Sequence, residues 1–331
     1  MQRVLQFCLG LFFFSSVVTQ VLAEDFTVGL VLDKAGKDDQ SFNASAYRGA
    51  QRAEKDLGVK VKTIEVRDAA SSESMLRALA GKKYSLVIAV GFSHAGAVSR
   101  VAPAFLDRKF VIIDSEVKLP NVTSIMFAEH EGSFLMGAMA AMASKTANVG
   151  FIGGMDIPLI RRFSMGYDSG AKYMNPGVKV QSAYIGVTGD AFNNPPKAKE
   201  LAILQHAQGA DVIFHAAGAS GLGVFNAAEE KNFLAIGVDS NQNGVRPGKI
   251  LTSMVKAVDV GVFEAVKAAK KNELPVGATV FHGFRTGGIA MALDDNNKAL
   301  MTPLMLKKAE SIKADISSGK IKVPDYYLLK K

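Results

Sequence analysis

Three acids and one lysine stand at the ends of apolar, β-branched runs in this chain. Asp33 follows "VGLVL", Asp114 follows "KFVII", Asp239 follows "LAIGV" and Lys256 follows "LTSMV". Two other runs, "SLVIAVG" and "DVIFHAAG", end in Gly91 and Gly218, and a third, "NVGFIGG", runs into Met155. In an open parallel sheet, ligands bind in the crevice beyond the carboxyl ends of the strands. Carboxylates, an ammonium and bare glycine backbone at such ends suit a small polar molecule held by hydrogen bonds.

The loop after the first run, "DKAGKDDQSFN", packs Asp33, Lys34, Lys37, Asp38 and Asp39 ahead of a phenyl ring, Phe42, and an amide, Asn43. It has two readings. It is a ligand-facing loop, or Asp38, Asp39 and Ser41 cap a helix that Phe42 staples at its start. Phe214, inside "DVIFHAAG", is a ligand-facing ring or ordinary sheet core, and Asp239 with Lys256 touches a ligand or forms a salt bridge.

Catalytic patterns are missing. "GASGLG" (218–223) has its glycines in the wrong order for a dinucleotide fingerprint, and neither GxSxG nor a Walker-type GK[ST] occurs. The histidines, His94, His130, His206, His215 and His282, lack metal-ligand spacing. No metal site and no cofactor is expected. The formal net charge of +8 is spread along the chain rather than gathered in a stripe, so a nucleic-acid partner is not expected.

The elements that must position these residues alternate. Strand-like runs at 26–32, 61–66, 85–91, 109–114 and 123–127 are followed by runs at 148–154, 180–186, 211–218, 233–239 and 250–255. Helical patterns at 42–57, 72–81, 93–106, 132–145, 158–174, 196–208 and 220–231 separate them. Strands apolar throughout, alternating with helices, predict parallel sheets covered on both faces. Five strands followed by five predict two lobes. "LVIAVGFSHAG" with "FVIIDS" is echoed by "DVIFHAAGASG" with "LAIGVDS", in the same order and at similar spacing. The Met-rich stretch "GSFLMGAMAAMASK" reads as a buried helix.

Residues 1–23 read as a signal peptide. Arg3 supplies the basic start, "FCLGLFFFSSVV" the short apolar run, and Val21 and Ala23 a cleavage site before Glu24. The sole cysteine, Cys8, lies in this segment without a lipidation pattern, so a periplasmic protein without a lipid anchor is expected. The intact mass of the exported chain should begin at Glu24. A product that keeps Cys8 or carries lipid would overturn this.

Eight motifs stand in one order: "DDQSFNASAYRG", "AVGF", "FVIIDS", "FAEHEGSFLMG", "VGFIGGMDIPLIRRFSMGY", "IFHAAGASGLGV", "IGVDSNQ" and "LTSMVK". Together they resemble the basic membrane protein family of ABC-transporter solute-binding proteins, which includes purine-nucleoside receptors, over residues 26 to 325. The resemblance implies a type I periplasmic-binding fold, α/β, with two doubly wound parallel-sheet lobes and a hinge crossed three times. The lobes are expected at 24–126 plus 257–283 and at 127–256 plus 284–331. It further implies a monomer that binds a nucleoside and hands it to a permease. Phe42 and Phe214 would sandwich the base, Asp33, Asn43 and Asp114 would lie near it, and Asp239 and Lys256 would approach the ribose. Gly91, Met155 and Gly218 would complete the pocket. The chain departs from the family at Asn241, where an acid is common, at Ala219, where glycine is common, and in lacking the lipidated cysteine. A sugar-binding protein on the same fold, or an exported nucleoside-processing enzyme, are the alternatives.

Overall fold

The computed structural model describes residues 25–329; the leader and its cleavage site lie outside them. The first sheet is built from β1 (Thr27–Leu32), β2 (Lys60–Glu65), β3 (Leu86–Val90), β4 (Lys109–Ile113) and β5 (Val122–Phe127), joined by α1 (Phe42–Leu57), α2 (Ala69–Gly81) and α3 (Ala95–Val101). The second begins with α4 (Glu129–Ala143). It continues through β6 (Asn148–Met155), α5 (Pro158–Met174), β7 (Lys179–Gly186), α6 (Pro195–Ala207), β8 (Val212–Ala216), α7 (Gly221–Lys231), β9 (Leu234–Asp239) and β10 (Ile250–Lys256). The chain then returns to the first lobe with α8 (Val258–Lys270), packed on α1, and β11 (Thr279–His282). It finishes on the second with β12 (Ile289–Met291) and α9 (Pro303–Ser317).

The strand orders are β2-β1-β3-β4-β5-β11 and β7-β6-β8-β9-β10-β12. Every pairing is parallel except β10 with β12. The central strands β3, β8 and β9 are buried almost end to end, as sheets covered on both faces require. Each order reverses beside its first strand, between β1 and β3 and between β6 and β8. Such reversals open a crevice at the carboxyl edge of the sheet.

β11 and β12 extend the expected five strands per lobe to six. They have only 4 and 3 residues and are partly exposed, so they make no apolar run in the sequence. The helix expected at 93–106 is shorter, because Pro103 forces the chain into a single tight turn after α3.

The chain crosses between lobes at residues 127–129, 256–258 and 282–289. The crossings are tied together: Ala128 N donates to His282 O (2.8 Å) and Ala257 N to Gly288 O (2.9 Å).

α4, the Met-rich helix, is buried on nearly every side, and α5 lies against it with backbones almost touching. A Cβ at Gly137 would meet Tyr167 O at 2.0 Å, and one at Gly170 would meet Phe134 O at 1.8 Å. Gly170→Ala must push the helices apart, at about 1–3 kcal/mol for overpacking. A urea titration should show the midpoint fall. An unchanged midpoint would mean that α5 slides freely, a consequence for the cleft that α5 walls.

Candidate ligand cleft

The carboxyl ends of both sheets face each other across a cleft of about 550 Å³ of empty volume.

One wall starts at the head of α1. Asp39, 2% exposed, accepts from Ser41 N (2.8 Å), Asn43 N (2.9 Å) and Ala44 N (2.9 Å), so it caps the helix. This frees the Ser41 hydroxyl to donate across the cleft to Asp239 Oδ2 at 2.6 Å. Asn43 Nδ2 reaches back to Asp33 Oδ1 at 2.7 Å, and Ala35 N donates to the same oxygen at 3.1 Å. The other oxygen, Oδ2, lies beside the bare backbone of Gly91, which the Phe42 ring also approaches. A Cβ on Gly91 would stand 3.2 Å from that oxygen and 3.6 Å from Phe42 Cε1. Burial pushes Asp33 up to about 6, against the lowering pull of its Asn43 and Ala35 bonds.

The centre is Lys256, 2% exposed. Its Nζ pairs with Asp114 of the first lobe and lies 3.7 Å from Asp239 Oδ1 and 4.0 Å from Glu129 Oε1. It also sits 4.7 Å from the Phe42 ring centre and 5.7 Å from that of Phe163. Burial works against the ammonium, but Asp114, Asp239 and Glu129 outweigh it and hold Lys256 above its ordinary range. Asp114 is raised by burial, although Lys256 pulls it back. Both Asp114 and Asp239 have φ 64°, a left-handed conformation that Asp tolerates better than most residues. The sequence echo between the halves thus becomes two acids in one backbone geometry, clasping one lysine from opposite lobes. Gly91 (φ 111°) and Gly218 (φ 55°) repeat the correspondence at the neighbouring strand ends.

Behind Lys256 lies a pair that sequence reasoning did not single out. Glu129, fully buried, pairs with Arg162, which also donates to Phe127 O (2.8 Å) and Asp325 Oδ1 (2.8 Å). Its guanidinium lies 4.5 Å from the Tyr327 ring centre. Burial raises Glu129 to about 7, although Arg162 and Lys256 favour its charge. The signal was present: "AEHEG" and "LIRRF" each set charges beside apolar residues at a helix head.

Eight of the ten expected residues line this cleft: Asp33, Phe42, Asn43, Gly91, Asp114, Gly218, Asp239 and Lys256. Two do not. Phe214 is fully buried in the second-lobe core, 5.8 Å from the Phe151 ring and 5.4 Å from that of Tyr167. It sits mid-strand in β8, so its ring stands off the sheet face instead of at the strand end, where Ala217 and Gly218 reach the cleft. Met155 packs into the apolar cluster of Ile152, Ile185 and Ala191. The second-lobe rings that do line the cleft are Phe163 of α5 and Phe192, in the turn after β7; Phe92 joins them from the first lobe. Asn241 turns away and donates to Asp294 Oδ2 at 2.7 Å.

Among the described residues no helix is long and apolar enough to cross a membrane, and no cluster of His, Cys, Asp or Glu has metal-binding geometry.

Known proteins share this architecture. Residues 26–326 match the family described as ABC transporter substrate-binding protein PnrA-like. An ABC transporter nucleoside-binding protein of Lactococcus lactis is 33% identical over 322 residues, covering 91% of this chain and 89% of its own. Basic membrane protein D of Borreliella burgdorferi is 32% identical over 312 residues, again 91% and 89%. An uncharacterized lipoprotein of Pyrococcus abyssi is 36% identical over 265 residues, 75% of this chain and 65% of its own. The crystal structure of an ABC transporter solute-binding protein from Aeropyrum pernix superposes with a TM-score of 0.83 at 28% identity, covering 90% of this chain and 94% of that one. With the two-lobed type I architecture and a family match spanning the described residues, this chain belongs to the PnrA-like basic membrane protein family of ABC-transporter substrate-binding proteins.

Proposed function

We propose that this chain is an exported, monomeric receptor that captures a nucleoside of the purine class between its lobes and delivers it to an ABC permease, without chemical turnover. The observation that carries the reading is the division of labour in the cleft. Aromatic rings from both lobes, Phe42 and Phe192, line it, as stacking on a flat base requires. An acid and amide, Asp33 and Asn43, offer a hydrogen-bonding edge at one side. Asp114, Asp239 and Lys256 form a charged cluster, with the Ser41 hydroxyl on Asp239, suited to sugar hydroxyls. The nucleoside-binding name of the Lactococcus lactis relative agrees with it.

The test is mass spectrometry of small molecules released from the denatured, purified protein, followed by calorimetric titration with the species found. A released sugar without a base would replace the reading with that of a sugar receptor. Sustained release of free base from added nucleoside would make the protein an enzyme.

The rings give a sharper comparison. Phe42→Ala and Phe192→Ala should each lose about 1–3 kcal/mol of nucleoside affinity, the worth of a base stacked on a ring. Phe214→Ala should instead lose about 3–5 kcal/mol of stability through its core cavity. Its folded fraction should bind nearly as well as wild type. Calorimetry with urea melts separates the two patterns, and a binding defect at Phe214 without loss of stability would restore it to the cleft.

A further inference from the structure

The lobes also meet along a seam beside the cleft. Its first-lobe side is the head of α1, residues 40–48, and its second-lobe side is the turn after β9, residues 239–242. Ser240 Oγ donates to Ser41 O at 2.8 Å and accepts from Arg48 Nη2 at 2.9 Å. Gln242 Nε2 donates to Gln40 O at 3.0 Å, and Ser41 Oγ donates to Asp239 Oδ2 at 2.6 Å. Of these six residues only Asp239 lines the cleft. Opening the cleft breaks all four bonds.

The two faces of the seam are held in shape before they meet. Ser41, Ser240 and Gln242 are buried. Gln242 is pinned within its own lobe, where Oε1 accepts from Val238 N (2.8 Å) and its backbone N donates to Ser253 Oγ (3.0 Å). This aims Nε2 at the other lobe. On the facing side Gln40 has φ 54°, a left-handed conformation uncommon outside glycine. Such backbone persists only where its surroundings over-determine it. Beyond β7 the lobes meet differently, through the exposed Lys34–Asp190 pair and the edges of Phe92 and Phe192, whose ring centres are 6.0 Å apart. An exposed ion pair contributes little.

We propose that the seam between the α1 head and the β9 turn is a latch that holds the lobes closed through bonds independent of the ligand, and so governs how fast ligand enters and leaves. Ser240 and Arg48 are positioning residues, acting through Ser41 on Asp239. A latch made in the free and the occupied protein alike slows exchange in both directions, because it favours the closed state whether or not the cleft is filled. A residue that touches the ligand would instead change dissociation and affinity together.

Two measurements test this. The first is stopped-flow binding of adenosine to the full mature protein, an arm that rests on the nucleoside reading. Ser240→Ala should speed association and dissociation alike, each by about tenfold, as for the loss of one or two hydrogen bonds. Affinity should change by less than about threefold. Lys34→Ala should leave both rates within about twofold of wild type. Unchanged rates in Ser240→Ala with an earlier urea midpoint would make the seam ordinary packing and overturn the latch. Faster dissociation alone would also overturn it, since the seam would then close only on ligand. Equal acceleration by Lys34→Ala would move the holding contact to the β7 side. The second measurement needs no ligand. Solution scattering of the free protein should show a larger radius for Ser41→Ala with Ser240→Ala than for wild type, and equal radii would overturn the latch. Failure of adenosine to bind wild type would count against the nucleoside reading, and scattering alone would then decide the latch.

Discussion

Arg162→Met should lose about 3–5 kcal/mol of stability, the cost of breaking a buried ion pair on one side. Methionine keeps much of the side-chain length, so the loss is electrostatic more than steric. Arg162 is 1% exposed and holds Glu129, Asp325 and the carbonyl of Phe127 at once. Removing it leaves Glu129 fully buried with Lys256, at 4.0 Å, as its remaining cation among the described residues. It also cuts the C-terminal segment, through Asp325 and Tyr327, away from the first lobe crossing. The measurement is a urea melt at neutral pH. The double variant Arg162→Met with Glu129→Gln should regain part of the loss, since the stranded charge is gone. A single variant within about 1 kcal/mol of wild type would show that water or the tail compensates the charge.

The sequence made much of this arrangement legible, and the reason is topological. In doubly wound sheets the residues at strand ends face the crevice, and apolar runs mark strand ends sharply. Asp33, Gly91, Asp114, Gly218, Asp239 and Lys256 were found that way, and all line the cleft. Phe42 and Asn43 follow from the loop that Asp39 caps.

What escaped has two physical causes. Phe192 lies six residues past the end of β7, in a turn that only the folded chain brings inward, so no strand end pointed to it. Phe214 misled because family likeness outweighed its position in the middle of a buried strand, where alternation and full burial make a ring core. Glu129 and Arg162 escaped for a different reason. Each stands beside another charge at the head of its helix, Glu131 and Arg161, and its partner is 33 residues away, so neither makes a local pattern.

Lys256→Met should cost both stability and ligand affinity, and the stability loss should depend on pH. The ammonium faces Asp114, Asp239 and Glu129 from three neighbouring elements, with Arg162 behind Glu129. In the wild type burial already raises Asp33 to about 6 and Glu129 to about 7. Removing the lysine takes away a lowering influence on Asp114 and Glu129, so their folded values rise further above the ~4 of an unfolded carboxyl. The folded state then binds more protons than the unfolded one between about pH 4 and 8, and stability falls as pH rises through that window. The deficit of Lys256→Met against wild type should therefore be smallest near pH 5 and largest near pH 8. There it should reach about 3–5 kcal/mol, as for one partner lost from a buried pair. Nucleoside affinity should drop by about 1.5–3 kcal/mol, the range for a charged hydrogen bond, and the drop should persist at pH 5, where the variant is well folded. Urea melts at three pH values, with calorimetry at the lowest, separate the two effects. A stability deficit that is flat with pH would reduce Lys256 to a packing residue. Full affinity at pH 5 would mean that its ammonium serves to hold the two acids together and does not itself touch the ligand.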